Sequence, residues 1–209
     1  MAPDPHAIAS VTELWAIVGE PAERVITKET PSLDERGRAF IASSPFAMLA
    51  TTAADGSVDV SPKGGPRGFA HVLGPTRIVV PEFPGNRRLD GVKNLVERSG
   101  VGVIFVIPGI SETLRVNGRG CLTRDPELRA ACAVDGKEPW FCIDIAVEQV
   151  FSHCGKAFLR SGLWRPESWP DADAVPSPSN TITERALAQS RPEREIRAEV
   201  EEEYRPLLY

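Results

Sequence analysis

Three basic clusters hold the chemistry open to this chain. Asn86-Arg87-Arg88 follows a loop containing Pro84 and Gly85 and precedes a stretch of helical periodicity, so it stands at a loop-to-helix junction. At such a junction backbone N–H groups and the helix dipole favour an anion, and two guanidinium groups can fork onto phosphate oxygens. The competing reading is a solvated pair of arginines that opens a helix. Arg115-Val-Asn-Gly-Arg119 lies in a stretch that reads as a strand, whose two-residue period puts Arg115, Asn117 and Arg119 on one face. A face of that kind must be exposed, paired or occupied by a ligand. The third cluster, His153-Cys-Gly-Lys156 with Arg160, Trp164 and Arg165, mixes cations with an indole and suits an anionic aromatic ligand. Its alternative is an ordinary helix with Phe158, Leu159, Leu163 and Trp164 packed into the core.

Other chemistries fit less well. His153 and Cys154 are adjacent, and neighbouring strand residues point to opposite faces, which opposes a nucleophile with its base. His6, His71 and His153 are too scattered for a metal set, so no metal is expected. The cysteines at 121, 132, 142 and 154 form no CxxC pair, which argues against zinc and a disulfide framework and for a reducing compartment. The chain has no GxGxxG fingerprint and no GxxxxGK[ST] loop, so a phosphate must be held by side chains.

The chain that positions these clusters has 209 residues and a formal net charge of -5. That balance argues against a nucleic-acid partner and leaves room for a basic pocket sized for one small anion. Apolar and charged fractions of 42% and 25% are those of a globular protein, while 17 glycines and 19 prolines point to many turns. No basic-then-apolar leader and no membrane-length apolar run occurs, so a soluble cytoplasmic protein is expected.

Ser10 to about Gly19 reads as a short amphipathic helix, and Asp34 to Ala42 as another that ends before Pro45. Phe46 to Thr52, the Asp55-Gly56 turn signal and Ser57 to Ser61 read as a β-hairpin. Pro62 to Gly68 is too rich in breakers for regular structure. Arg77 to Val80 is a strand, and a helix is expected from about Arg87 to Glu97. Gly100 to Ile107 is a continuous apolar run expected to be buried on both faces. Glu112 to Leu122 is its neighbour, with Gly118 and Gly120 at close-approach positions. Asp125-Pro126 caps a helix through Cys132, and Trp140 to Val150 is the last strand. About six antiparallel strands with isolated helices make a mainly β, α+β chain whose middle is a small barrel. Residues 170–179 are a linker by composition, and Thr183 to Glu203 is helical in propensity.

The hairpin around Ala47 to Ser61, the strand and loop ending in Asn86-Arg87-Arg88, the paired strands carrying Arg115-Val-Asn-Gly118, and His153-Cys-Gly-Lys-Ala157 together resemble the pyridoxamine 5'-phosphate oxidase-like flavoproteins. The resemblance covers roughly Leu33 to Trp169. Within that superfamily the chain is similar to a bacterial FMN-binding branch with an NRR loop and an HC-x-KA segment. It lacks the arginine- and histidine-bearing end of the true pyridoxamine 5'-phosphate oxidases.

The resemblance implies a split β-barrel homodimer with FMN at the interface. By position, Arg87 and Arg88 would contact the FMN phosphate, with Asn86 beside them and Ser61 or Lys63 completing the site. Ile78, Val79 and Val80 would run under the isoalloxazine, and Thr113, Arg115 and Asn117 would approach the flavin. Lys156, Arg160 and Trp164 would come from the second subunit. The division implied is an N-terminal helical extension over 1–32, an FMN-binding barrel over 33–169 and a linker with helical tail over 170–209. The activity implied is an FMN-dependent oxidoreductase acting on a small molecule, with NADH or NADPH as a possible reductant. The alternatives are a non-catalytic flavin carrier, and a relative of the same fold that binds deazaflavin or haem.

Overall fold

The computed structural model describes residues 4–209. Helices α1 (Val11–Val18), α2 (Glu23–Ile26) and α3 (Glu35–Ser43) come first, followed by the hairpin β1 (Phe46–Thr52) and β2 (Val58–Gly64). A second hairpin, β3 (His71–Gly74) and β4 (Arg77–Glu82), leads through a loop to α4 (Asp90–Glu97). Strands β5 (Gly100–Val106) and β6 (Thr113–Thr123), helix α5 (Pro126–Ala131) and strand β7 (Phe141–His153) complete the sheet. Helices α6 (Lys156–Ser161), α7 (Asn180–Gln189) and α8 (Glu193–Tyr204) follow. The strands run in the order β2-β1-β5-β6-β7-β4-β3, antiparallel throughout, and with the flanking helices make an α+β split barrel.

Local chemistry sets the element ends. The Asp55 carboxylate accepts from the Ser57 amide and hydroxyl at 2.9 and 2.7 Å and closes the first hairpin. Asp34 caps α3 by accepting from the Gly37 amide at 2.7 Å, and Asp125 caps α5 ahead of Pro126. Alternate residues of the strands then fill one core around Leu49, Val103, Phe105, Val116, Ile143 and Ile145, with Ile41 of α3 plugging one end.

The structure has seven strands where about six were expected, because β3 lies in a segment that the glycine-rich loop before it had obscured. Strand β2 also continues through Pro62 to Gly64. It is an edge strand paired only with β1, so the missing proline N–H leaves no gap in a ladder. Strand β5 is covered on one face only: Val101, Val103 and Phe105 enter the core, while Ile104 is 36% exposed. The residues after 180 form two helices, since Ser190 takes a left-handed turn (φ 52°) just before Pro192. Those helices enclose a small core of their own, Ile182, Ala186, Ile196 and Val200.

Between β6 and β7 the register slips at Asn117/Gly118: Asn117 pairs with Gln149 and Gly118 with Val147, leaving Glu148 as an extra residue. A side chain at Gly118 would come within 2.0 Å of the Ala146 carbonyl oxygen, so this bulge admits only glycine.

Candidate functional site

The exposed edge strand, the end of β4 and the start of α4 enclose a cleft of about 530 Å³. The period of β2 half-buries Asp59, Ser61 and Lys63 at the cleft, while the exposed Val60 and Pro62 also contribute to its lining. Helix α4 is pinned over this face by Asn94, whose amide donates to Thr51 Oγ1 at 3.0 Å and to Asp59 Oδ2 at 2.7 Å. Gly91 permits the approach, since a Cβ there would already stand 3.2 Å from Thr51 Oγ1.

The loop that carries Asn86-Arg87-Arg88 is not the first turn of a helix as expected. Arg87 (φ 61°) and Leu89 (φ 51°) are left-handed, and α4 starts only at Asp90. The Asn86 side chain accepts from the Arg88 amide at 3.0 Å and holds the turn. Two left-handed non-glycine residues within one three-residue turn are costly conformations, of a kind that clusters at ligand sites. The turn aims Arg88 and Asn86 into the cleft, while Arg87 is exposed and forms no ion pair among the described residues.

Both cations of the cleft are held by carboxylates. Lys63 Nζ lies 2.6 Å from Glu82 Oε2, with side chains only 11% and 14% exposed. Arg88 pairs with Asp90, which also receives Lys93 at 2.7 Å. Lys93 and Arg88 hold the Asp90 carboxyl below its usual range, and Asp90 in turn raises Arg88. Ser61, Lys63, Asn86 and Arg88 therefore meet in one place, with Glu82 and Asp90 occupying positions that an incoming anion would take. Three carboxylates (Asp59, Glu82 and Asp90) and two cations (Lys63 and Arg88) line the cleft.

A second group lies on the face of β6 and β7 turned away from the core. The Arg115 guanidinium carbon is 4.0 Å from the centre of the Phe151 ring, its register partner, in a cation–π contact. His153 packs against Phe151 with ring centres 5.0 Å apart, opposite the buried Thr113. Arg115 Nε and His153 Nε2 are buried without hydrogen-bond partners among the described residues. Burial first, and then the Arg115 charge, lowers the basicity of His153. Asn117 donates to Gln149, and Arg119 pairs with Glu148 at 3.0 Å on the surface.

The remaining expected residues are placed otherwise. Ile78, Val79 and Val80 are 0–1% exposed: Ile78 and Val80 belong to the main core, and Val79 packs with Cys132 and Cys142 beneath α5. Their side chains are buried on both faces of β4, so only the backbone of this strand is left to meet a ligand. Lys156 and Arg160 are exposed on α6, where Arg160 donates to the Lys156 carbonyl at 3.3 Å. Trp164 stacks on Phe158 and donates to the Ile110 carbonyl at 3.0 Å, which fastens α6 to the β5–β6 turn rather than to the cleft. Leu159 and Leu163 are exposed, so this segment is not a core helix either.

The sequence did not mark Asp59, Glu82, Asp90 or Asn94 as part of the site. Asp90 meets its partners Arg88 and Lys93 locally, but those of Asp59, Glu82 and Asn94 lie up to 43 residues away in the chain, and only strand pairing and helix docking bring them together. Among the described residues no helix is long and apolar enough to cross a membrane.

The chain is thus an antiparallel split barrel with a polar cleft between its edge hairpin and a capping helix. The family model described as pyridoxamine 5'-phosphate oxidase matches residues 33–154, more than half of the chain, and the chain belongs to that family. No curated protein matches it. Among solved structures it is similar to HupZ of Group A Streptococcus, at 18% identity and TM-score 0.47, covering 57% of this chain and 93% of that one. It is also similar to an FMN-binding protein of Syntrophomonas wolfei, at 13% identity and TM-score 0.46 over 69% and 95%. A third is described as F420 reductase, at 18% identity and TM-score 0.40 over 58% and 98%.

Proposed function

We propose that this protein is an FMN-binding flavoprotein of its family, that it holds the FMN phosphate in the cleft between β2 and α4, and that it acts as an oxidoreductase on a small molecule. The observation that carries the proposal is the convergence of Lys63, Arg88, Asn86 and Ser61 on one cleft of about 530 Å³. A dianionic phosphate needs forked cations and neutral donors, and these residues supply both kinds. Glu82 and Asp90 keep the cations in place until the phosphate arrives. Arg115, with a buried donor that has no partner, is the residue suited to a carbonyl or anionic edge of the bound ring. The flavin would supply the hydride and electron chemistry, and the chain would bind, orient and shield it.

The working unit in this reading is a homodimer. Met48 and Ile104 are register neighbours on the sheet face opposite the core, and with Val58 and Val60 they expose an apolar patch beside Arg115. A second copy laid on this patch would bury it and bring its own side chains toward the orphaned donors of Arg115 and His153.

The test is the purified chain itself. A yellow protein that releases a compound of the mass of FMN, and that binds FMN more tightly than riboflavin, agrees with the phosphate assignment. Absence of FMN binding, or equal affinity for riboflavin, overturns it. Oxidation of NADH or NADPH by the loaded protein separates an oxidoreductase from a flavin carrier.

A further inference from the structure

Two of the four cysteines meet inside the fold. Cys132 closes the C-terminal end of α5 and Cys142 is the second residue of β7; both are buried free thiols that pack together with Val79 of β4 and Leu128 of α5. The chain between them turns back at Asp135 and Gly136, both left-handed (φ 50° and 76°), and the turn is closed by the paired Val134 and Lys137. Within the cluster the Cys142 thiol donates to the Cys132 sulfur. That contact holds Cys132 below the ordinary thiol range against the opposing effect of burial, and it pushes Cys142 up, with burial adding to the rise. Their cover is thin. Helix α5 has six residues, none of them buried, and is held by the Asp125 cap and by Arg129, which donates to the Pro139 carbonyl at 2.8 Å and pairs with Glu138 at 3.1 Å. The other two cysteines, Cys121 and Cys154, are exposed.

We infer that Cys132 and Cys142 are a redox-active dithiol, which a hydroperoxide converts to a disulfide that ties α5 to β7. The bond forms in two steps. Cys132, as its thiolate, attacks one oxygen of the peroxide; the O–O bond breaks, Cys132 becomes a sulfenic acid, and the leaving oxygen takes up the proton that Cys132 released. The Cys142 sulfur then attacks the Cys132 sulfur, the S–O bond breaks, and the hydroxyl leaves as water with the Cys142 proton. The thiol pair loses two electrons and the peroxide gains them. The order of attack follows from the contact between the thiols: the sulfur that accepts the hydrogen bond is the better thiolate, and the one that donates stays protonated until it resolves the sulfenic acid. Burial selects a small oxidant, since the thiolate must be reached beneath α5. In a reducing compartment the resting form is the dithiol, and a disulfide formed there is transient, as in redox-sensing proteins. The pair packs with Val79 on the face of β4 turned away from Glu82 and the cleft, so the inference does not rest on the flavin reading.

The full chain carrying Cys121→Ser and Cys154→Ser, which removes the exposed thiols, is reduced, freed of reductant and treated with a small molar excess of hydrogen peroxide. The expected product has lost the mass of two hydrogens and both titratable thiols, and its peptide map joins Cys132 to Cys142 within one chain by a link that dithiothreitol reverses. Oxidation should also raise the urea midpoint, because the closed loop restricts the unfolded chain. Adding Cys142→Ala leaves the sulfenic acid unresolved, so dimedone should then label Cys132; adding Cys132→Ala should leave Cys142 an unlabelled thiol. Thiols that survive the peroxide, sulfinic acid without a bridge, a bridge between chains, or dimedone on Cys142 in place of Cys132 overturn the inference. The peptide map of the parent chain decides the bridge even where an alanine variant fails to fold.

Discussion

Lys63 of β2 and Glu82 of β4 form an ion pair at 2.6 Å, joining strands at different places in the sheet. Both side chains are largely enclosed, so removing one leaves the other charge poorly compensated. Lys63→Met should weaken FMN binding by roughly 1.5–3 kcal/mol, the range for a hydrogen bond to a charged group. Glu82→Gln should tighten FMN binding, because the ammonium is freed for the phosphate. Fluorescence titration of both variants checks the pair of signs, and a Glu82→Gln protein that binds FMN more weakly would contradict the exchange of carboxylate for phosphate.

The two adjacent arginines should behave differently. Arg88 lines the cleft and Arg87 does not, so Arg88→Ala should cost roughly 1.5–3 kcal/mol of FMN affinity and Arg87→Ala much less. The same titration run at low and high salt should show a shallower salt dependence for Arg88→Ala. Equal losses in the two variants would mean that the left-handed turn at residues 87–89 reorganises on binding.

Gly118 makes a prediction about stability alone. Its Cβ position lies 2.0 Å from a backbone oxygen that cannot swing away, so Gly118→Ala should destabilise the fold by about 3 kcal/mol or more. Urea unfolding gives the value. Gly74→Ala is the matched control, since a Cβ there meets nothing within 4 Å.

His153 makes stability depend on pH. Its folded pKa is lowered, so the unfolded chain takes up the proton more readily. The contribution of the neutral imidazole is complete above the unfolded value of 6.5 and is lost as pH falls from there to the folded value, below which it changes no further. The urea midpoint should therefore be lower at about pH 5.5 than at about pH 7.5, and His153→Gln should narrow that difference.

Ile104 sits at the centre of the uncovered apolar face. Ile104→Glu should leave the monomer fold intact, because the side chain points away from the core, and should shift a dimer to monomer in sedimentation. A wild-type chain that is monomeric at the same concentration would refute the proposed assembly.

Much of the barrel was legible in the sequence because its signals are local. The Asp55-Gly56 turn, the Asp125-Pro126 cap and the alternation of β7 each depend on residues a few positions apart. Gly118 also stood out as a close-approach position, although only the structure reveals the carbonyl it must clear. Strand β3 and the extension of β2 through Pro62 were hidden, since breaker residues argue against a strand unless its edge position is known. Asn86 and Arg88 were named as candidates from their chemistry and Lys63 through the resemblance; the Arg88–Asp90 pair is local, whereas the Glu82 partner of Lys63 is set by tertiary contact. The burial of Ile78 to Val80 on both faces was hidden for a related reason: helix α5 closes over a strand that periodicity alone could have left open.

The surplus residue Glu148 works as a phase switch in β7. Before it, odd-numbered Ile143, Ile145 and Val147 point inward; after it, Val150 does, and odd-numbered Phe151 and His153 point outward. The bulge thus decides whether the aromatic neighbours of Arg115 are core packing or working surface. The outward-facing group on β6 and β7 is in that sense encoded by where β7 takes up its surplus residue as well as by the kinds of its residues: the same sequence paired without the bulge would turn Phe151 and His153 into the core.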